Sequence, residues 1–207
     1  MCINIQKMTK EVNPKLILNK PTRKYTLEEY LRKEANSIHK HEFINGEIIK
    51  MPNARYNHNL IAMNIAIDLS YQTENSDKNY QILGSDQKVY FPSLDEGVYA
   101  DALAVCEKPL FWDNDDLLLI NPILVVEVLS KSTQKYDRTG KFDKYKTLES
   151  FKEYVMIRQD ICYAEVWYRE RPGLWHETIV TNIEGKLPLQ SLGVEISMKR
   201  IYKNVSF

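Results

Sequence analysis

The stretch NPILVVEVLS, from Asn121 to Ser130, is the segment on which the fold prediction depends. Its apolar run is rich in β-branched residues and is too short for a typical helix. Continuous apolar runs of this kind are typical of strands that are buried on both faces of a sheet. We therefore predict a central strand here, and the carboxylate of Glu127 inside it requires a physical explanation.

Glu127 interrupts an otherwise apolar segment. A lone ionised carboxylate in apolar surroundings is very costly, so the group must be paired, neutralised or bound to a cation. Since alternate residues of a strand share a face, Glu127 is expected to project with Val125 and Leu129. Two interpretations stay open from Glu127 alone: a strand end that emerges into water or meets an arginine, and a functional carboxylate.

A second acid, Asp101, lies in VYADALAV, residues 98–105, which is also predicted to be an apolar strand. Two acids on neighbouring central strands repel each other unless a positive charge lies between them. A divalent cation supplies that charge, and Mg²⁺ in phosphoryl-transfer sites commonly takes one or two carboxylates, waters and substrate oxygens. Asp101 and Glu127 therefore predict a site for Mg²⁺ or Mn²⁺ that activates water towards a phosphate.

Two lysines, Lys141 and Lys144, follow on a helix predicted across RTGKFDKYKTLES, residues 138–150. An ammonium group beside the metal site would stabilise the charge that develops on a phosphate during hydrolysis. Lys141 and Tyr145 are i,i+4 neighbours on one helix face, and Tyr145 is expected to face the core. Lys141 is therefore the first candidate and Lys144 the alternative, although most helical lysines simply face solvent.

Local signals predict the helices near the N-terminus. YTLEEYLRKEAN, residues 25–36, is expected to be helical, with Thr26 and Glu29 forming a capping box. YNHNLIAMNIAIDLSYQT, residues 56–73, places Leu60, Met63, Ile67 and Leu69 at roughly helical intervals and predicts an amphipathic helix.

Strands are predicted over much of the remaining chain. The Asn45-Gly46 pair within HEFINGEIIKMP indicates a two-residue hairpin turn. Further strands are expected at YQILGSDQKVYF, EYVMIR, YAEVWYRE and LWHETIV. The predicted fold class is therefore α/β (α+β), with a mixed central β-sheet and flanking helices. Residues 1–22 are predicted to be an irregular N-terminal extension.

Composition limits the classes of function. Lysine plus arginine and aspartate plus glutamate both number 28 in the 207 residues, so the chain carries no net charge. The chain as a whole therefore lacks the excess of positive charge that is typical of nucleic-acid-binding proteins, which argues against a DNA-binding role but leaves room for a local basic groove. Three widely spaced cysteines indicate reduced thiols in a cytoplasmic protein. No run approaches the ~18 apolar residues of a membrane span, so no membrane partner is expected.

Several motifs resemble one known family when they are taken in order. They are YTLEEYL, HEFINGEIIKMP, NHNLIAMNIAIDL, YADALAV, PILVVEVLSKSTQKYDRTGKFDKYKTLESFKEYVMI and LGVEISMKRIY. Together they resemble the Uma-type restriction endonucleases, a family of the PD-(D/E)XK nuclease superfamily. The resemblance extends from Tyr25 to the C-terminal tail and implies a single restriction-endonuclease-like domain over residues 23–207.

The resemblance implies roles for particular residues. Asp101 takes the place of the superfamily's metal-binding aspartate, and Glu127 takes that of its second acid. The backbone carbonyl of Val128 would be a further metal ligand, and Glu47 would complete the acidic cluster from the first hairpin.

Two positions depart from the superfamily motif. Ala100 stands where the motif has proline, and Leu129 stands where it has the catalytic lysine. In the Uma-type pattern a lysine appears instead on the following helix, and Lys141 matches it.

Four other polar residues near these motifs have competing interpretations. His58 matches a family histidine that could contact phosphate or position water, although a hydrogen-bonded histidine at a helix N-terminus is the plainer interpretation. Arg138 could meet a phosphate. Asp137 is interpreted as a helix N-cap, and Glu42 as part of a surface ion pair.

The predicted function is metal-dependent hydrolysis of DNA phosphodiester bonds by an endonuclease. A homodimer is expected, because cutting both strands of a duplex requires two sites. A catalytically inactive module that keeps the nuclease fold for binding or assembly is the main alternative, and the neutral charge and the missing motif lysine favour it. Hydrolysis of RNA or of a smaller phosphoester is a third possibility.

Overall fold

The structure is a computed structural model that describes residues 23–131 and 133–207, and the predicted extension over residues 1–22 lies outside the described residues. In chain order the strands are β1 (His41–Ile44), β2 (Glu47–Lys50), β3 (Tyr80–Gly84), β4 (Lys88–Phe91), β5 (Glu96–Tyr99), β6 (Ala102–Cys106), β7 (Leu118–Leu119), β8 (Leu124–Leu129), β9 (Glu153–Arg158), β10 (Ala164–Arg171), β11 (Leu174–Val180), β12 (Lys186–Leu189) and β13 (Val194–Ser197). The α-helices are α1 (Leu27–Glu34), α2 (Tyr56–Thr73), α3 (Gln134–Tyr136), α4 (Phe142–Tyr145) and α5 (Met198–Ile201). A 3₁₀ turn spans Trp112–Asn114, and a π-helical turn, Asp137–Lys141, joins α3 to α4.

Local signals account for the N-terminal elements. Thr26 and Glu29 form both hydrogen bonds of the predicted capping box at the start of α1. Asn45 and Gly46 have φ angles of 51° and 71°, which is the left-handed conformation that a tight hairpin turn between β1 and β2 requires. A side chain at position 46 would also press against Lys24 at 3.2 Å. Both predictions are confirmed.

The predicted central strand is β8, which lies inside a six-stranded sheet of order β11-β10-β9-β8-β6-β3. It runs parallel to β9 and antiparallel to β6. All six of its residues are buried, as expected for a strand covered on both faces. The predicted fold class, α/β (α+β) with a mixed central sheet and flanking helices, is confirmed.

A second sheet of five strands has the order β2-β1-β5-β4-β7. The stretch VYADALAV, predicted to be one strand, is divided between the two sheets. Val98 and Tyr99 belong to β5 of the five-stranded sheet, whereas Ala102 begins β6 of the six-stranded sheet. The chain therefore crosses from one sheet to the other at Ala100-Asp101.

Two apolar cores cover the six-stranded sheet. On one face, α2, α5 and the β12–β13 hairpin pack against side chains such as Leu124 and Val126. On the other face, the five-stranded sheet and the segment from α4 to β9 pack against side chains such as Val125 and Leu129. The side chains of β8 thus alternate between the two cores, as the strand periodicity requires.

Two sequence expectations about the helices are wrong at least in part. Of the four apolar residues predicted for one face of α2, Leu69 is buried and Leu60 is half-buried, whereas Met63 and Ile67 are 59% and 56% exposed. The other buried apolar side chains of α2 are Ile61 and Ile65. The helical segment after β8 runs from Gln134 to Tyr145 and not over residues 138–150. Among the described residues, no helix is both long enough and apolar enough to cross a membrane.

Candidate active site

Asp101 lies at the crossover between the sheets, directly before β6. Its backbone N–H donates to the carbonyl of Val126 at 3.1 Å. The ladder between β6 and β8 ends at the pair of Ala102 and Val126. The backbone amide of Val128, two residues further along β8, therefore has no partner on β6. The N–H of Val128 donates instead to Oδ2 of Asp101 at 2.6 Å. The carboxylate therefore continues the sheet's hydrogen bonding and is fixed against the middle of β8.

The other oxygen of this carboxylate contacts His58, which lies in the first turn of α2. Nε2 of His58 is 2.8 Å from Oδ1 of Asp101, and the two side chains are 17% and 18% exposed. The contact ties the start of α2 to the crossover and fixes the orientation of Asp101.

Glu127 and Lys141 form a buried ion pair on the opposite side of β8 from the α2 core. Nζ of Lys141 lies 2.9 Å from Oε1 and 2.9 Å from Oε2 of Glu127. Lys141 ends the π-helical turn between α3 and α4, a form of turn that is frequent at functional sites. A second carboxylate, that of Glu42 on β1, also lies near this ammonium, with its Oε1 3.6 Å from Nζ of Lys141.

Three carboxylates, those of Glu127, Glu42 and Asp137, act electrostatically on Lys141, and Asp101 acts on Glu127 and Asp137. Burial raises the pKa of Glu127 well above its usual value; the ammonium opposes this shift, while Asp101 and Asp137 add to it. Burial likewise raises the pKa of Asp137 and of Glu42, in both cases against the effect of Lys141. Burial would lower the pKa of Lys141, but Glu127 and Glu42 outweigh it and raise that pKa well above its usual value.

The donor set suits a hard divalent cation. Asp101 supplies carboxylate oxygens from the crossover and Glu127 supplies them from β8, near enough that the charge of Asp101 raises the pKa of Glu127. In the described part of the chain, no group of three histidine, cysteine, aspartate or glutamate side chains is arranged to hold a metal ion. Mg²⁺ commonly needs only one or two carboxylates and completes its shell with waters and substrate oxygens, so this pair fits Mg²⁺ or Mn²⁺.

The remaining acid and lysine candidates lie elsewhere in the fold. Oε1 of Glu47 is 3.1 Å from Nζ of Lys24, and the Glu47 side chain is 40% exposed. Lys144 forms an ion pair with Glu96. Of the two candidate lysines, only Lys141 therefore contacts Glu127.

The sequence interpretation missed two residues of this cluster. Glu42 is buried beside Lys141 and is not part of a surface pair. Asp137 lies inside the helical segment and is not its N-cap, a position that Thr133 takes. The i,i+4 spacing of Asp137 and Lys141 was a signal available in the sequence.

Arg138 points away from the carboxylate cluster. Its guanidinium forms an ion pair with Glu165 on β10 and lies 5.8 Å from the ring centroid of Tyr163. The Arg138 side chain is 34% exposed, so one side of it faces solvent. Its predicted contact with phosphate remains a prediction.

This mixed sheet, with one acid on the central strand, another at the start of its neighbour and a helical segment after the central strand, defines a domain of the restriction-endonuclease-like nuclease fold. The chain belongs to the Uma2 family: the family's model, described as "Putative restriction endonuclease", matches residues 27–199. The predicted family membership is thereby confirmed.

Two relatives and one solved structure are similar to this chain. The chain is 36% identical to the uncharacterized protein sll1609 of Synechocystis sp. (strain ATCC 27184 / PCC 6803 / Kazusa), over 72% of this chain and 82% of that protein. It is 28% identical to the uncharacterized protein slr1290 of the same organism, over 90% of this chain and 96% of that one. A crystal structure described as a putative nuclease belonging to DUF820, from Anabaena variabilis ATCC 29413, has the same fold: the TM-score is 0.66 at 16% identity, covering 86% of this chain and 97% of that one.

Proposed function

We propose that this protein is a metal-dependent endonuclease that hydrolyses phosphodiester bonds of DNA. The observation that carries the proposal is the convergence of Asp101, Glu127 and Lys141, which come from the crossover, the central strand and the following helical segment. Within residues 23–131 and 133–207, neither acid forms an ion pair with an arginine. The family and the fold support the same class of reaction.

Each residue has a defined part in this proposal. Asp101 and Glu127 hold Mg²⁺ or Mn²⁺, with the carbonyl of Val128 as a further ligand. The ion, when bound, polarises the phosphate and makes a water more acidic. Lys141 stabilises the negative charge that develops on the phosphate, and His58 holds Asp101 in the orientation that ion binding requires.

One observation favours a second candidate function, that of an inactive module for binding or assembly. Lys141 is 4% exposed, and its ammonium already lies beside Glu127 and Glu42. A pair this deeply buried can serve the fold alone. Cleavage by the active-site variants decides between the two functions.

The test is nicking of supercoiled plasmid DNA in Mg²⁺, in Mn²⁺ and in EDTA. We expect Asp101→Asn and Glu127→Gln each to reduce cleavage at least about 100-fold, since each removes a charge that holds the ion. Glu195→Gln is the matched control, because Glu195 pairs with Lys186 on the surface at 57% exposure. Undiminished cleavage in Asp101→Asn, or cleavage in EDTA, would reject the proposal, and parallel RNA and phosphomonoester substrates test the narrower assignment to DNA.

We also propose a homodimer, because each chain offers one such site and duplex cleavage requires two. Sedimentation equilibrium with and without a duplex tests this. A monomer under both conditions, together with double-strand breaks, would contradict it.

A further inference from the structure

A cleft of ≈ 410 Å³ lies beside the carboxylate cluster, and neither the family nor the proposed chemistry assigns it a role. It opens between the helical segment after β8 and the outer strands β10 and β11. Its lining includes Arg138, Phe142, Lys146, Glu165, Trp167 and Trp175. Its volume falls within the ~300–1,000 Å³ range of small-ligand sites.

The sheet register places the cleft on the same face as Glu127. Glu127 is paired with Met156 of β9, and Met156 is paired with Glu165 of β10. Directly paired residues project from the same face, and strands are spaced about 4.8 Å apart, so Glu165 lies about 10 Å from Glu127. The helical segment separates the two sites: Lys141 contacts Glu127 on one flank, while Arg138 and Phe142 line the cleft on the other.

The floor of the cleft is aromatic. Trp175 packs edge-on to Phe142, with ring centroids 5.1 Å apart, and Trp167 lies 5.9 Å from the same ring. Both tryptophans are half-buried, and the Arg169 guanidinium lies over the Trp175 ring, 4.9 Å from its centroid, so a base would stack on the opposite face of that ring. Exposed aromatic faces stack on nucleobases at about 1–3 kcal/mol per base, with little dependence on sequence.

The polar rim is fixed by contacts within the protein. Glu165 is 2% exposed and receives hydrogen bonds from Trp167 Nε1 at 2.7 Å and from the Tyr163 hydroxyl at 3.0 Å, as well as the ion pair with Arg138. This network orients the Trp167 ring and leaves one side of the Arg138 guanidinium towards solvent. Lys146, whose side chain is 35% exposed and pairs with the exposed Asp143 at 2.9 Å, supplies a second cation at the rim.

We propose that this cleft binds an unpaired nucleotide, with the base stacked on Trp175 and Trp167 and the phosphate near Arg138 and Lys146. The charge balance favours this ligand over duplex DNA. Glu165 and the exposed Glu177 offset the two cations of the lining, and the whole chain is neutral. Affinity for a duplex depends mainly on neutralising phosphates, whereas stacking on an unpaired base needs no excess positive charge.

This inference deepens the proposed function and rests on it. By the strand spacing of about 4.8 Å and the rise of about 3.3 Å per residue, Trp167 and Trp175 lie roughly 12 Å and 20 Å from Glu127, so a base held there would place the same nucleic-acid strand, a few nucleotides along, at the carboxylate cluster. Binding is nevertheless measured without cleavage, in EDTA and with the Asp101→Asn variant. Failure of the cleft and failure of the nuclease assignment are then separate results.

Intrinsic fluorescence gives a direct readout, because Trp167 and Trp175 are two of the three tryptophans in the chain. The probes are single-stranded DNA and RNA of one sequence, about 12 nucleotides long, and the corresponding DNA duplex. Single strands are expected to quench the emission, and Trp112→Phe, which alters a tryptophan outside the cleft, is expected to leave the quenching in place. The comparison of DNA with RNA identifies the sugar that the cleft accepts.

Two substitutions test the stacking directly. Trp175→Leu is expected to weaken single-strand binding about tenfold or more, and Trp175→Phe, which keeps an aromatic face, by less than about threefold. If Trp175→Leu does not fold, Lys146→Glu at the rim is expected to weaken binding about fivefold. The proposal is overturned if the protein does not bind single strands or if it prefers the duplex. It is also overturned if Trp175→Leu binds single strands as tightly as the wild type or, where that variant does not fold, if Lys146→Glu does.

Discussion

Lys141 and Glu127 form an ion pair in which each side chain is only 5% exposed, with Nζ of Lys141 2.9 Å from Oε1 of Glu127. The partners are 14 positions apart in the chain, one on the central strand and one on the helical segment that follows it. The desolvation cost of such a pair is large, and removing one partner leaves the other charge uncompensated. The pair is therefore a point where stability and the proposed chemistry depend on the same atoms.

We expect Lys141→Met to lower the free energy of unfolding by about 3–5 kcal/mol, because Glu127 and Glu42 would lose their shared cation. The double variant Lys141→Met/Glu127→Gln should recover at least half of that loss, since one of the uncompensated charges is also removed. Urea denaturation measures both. Lys186→Met, in a surface pair with a 66% exposed lysine, should change the stability by less than about 0.5 kcal/mol. A single variant as stable as the wild type would show that the pair is not buried in solution.

His58→Ala should weaken Mn²⁺ binding and metal-dependent cleavage about 10–100-fold, because groups that orient a metal ligand typically contribute that much. The amide of Val128 would still hold Oδ2 of Asp101, so binding should weaken without being abolished. Isothermal titration with Mn²⁺ measures the affinity directly. His176→Ala is the matched control, since the His176 side chain is 52% exposed and pairs with Glu170. Equal effects of the two histidine variants would contradict the role assigned to His58.

Glu42 and Glu47, which lie on the two strands of the same hairpin, should differ in their effect on cleavage. Glu42 is 3.6 Å from the ammonium of Lys141, whereas Glu47 is 3.1 Å from Lys24. We expect Glu42→Gln to reduce cleavage at least about tenfold, because the charge on one side of Lys141 is lost. Glu47→Gln should change it less than about threefold. A larger loss of cleavage in Glu47→Gln than in Glu42→Gln would contradict this prediction and would support the role in the acidic cluster that the family resemblance implies for Glu47.

Lys88 makes stability depend on pH. It is 3% exposed, and its Nζ lies 4.5 Å from the ring centroid of Tyr30. Burial lowers the pKa of Lys88 from 10.5 to about 8, while Glu34 and Asp115 act in the opposite direction. Between these values the unfolded chain binds more protons than the folded one, so Lys88 makes the free energy of unfolding increase with pH.

The Lys88→Met variant should lose this increase. From about pH 8 to pH 10, the stability of the wild type relative to Lys88→Met is expected to rise by about 2 kcal/mol. Denaturation at several pH values measures the difference, and Lys50→Met, at an exposed position on β2, should follow the wild type. Parallel pH profiles for the wild type and Lys88→Met would contradict the lowered pKa.

Elements whose signals lie within a few residues could be predicted from the sequence. The capping box of Thr26 and Glu29 marks the start of α1, and Asn45-Gly46 marks the first hairpin. The bounds predicted for β9 and β11 agree with the structure because proline, glycine or polar residues flank short β-branched or aromatic runs. These features depend on local backbone preferences, which are the same in the unfolded chain.

The division of VYADALAV between two sheets could not be predicted. Both halves of this stretch are buried in the structure, so its hydrophobic pattern is continuous across the crossover. The apolar face of α2 was misassigned for a related reason. The helix has apolar residues on more than one side, and only the position of the sheet decides that Ile61 is buried while Met63 is exposed.

The sequence by itself determined that this chain has a buried strand with one acid in it, a second acid in an apolar stretch, and a lysine on the following helical segment. Only the tertiary structure decided that Asp101 receives the Val128 amide and that Lys141 lies between Glu127 and Glu42. The reason is physical: a buried charge is stable only beside a partner of opposite charge. The identity of that partner depends on strand order and on the crossing of the chain between sheets, which no local preference encodes.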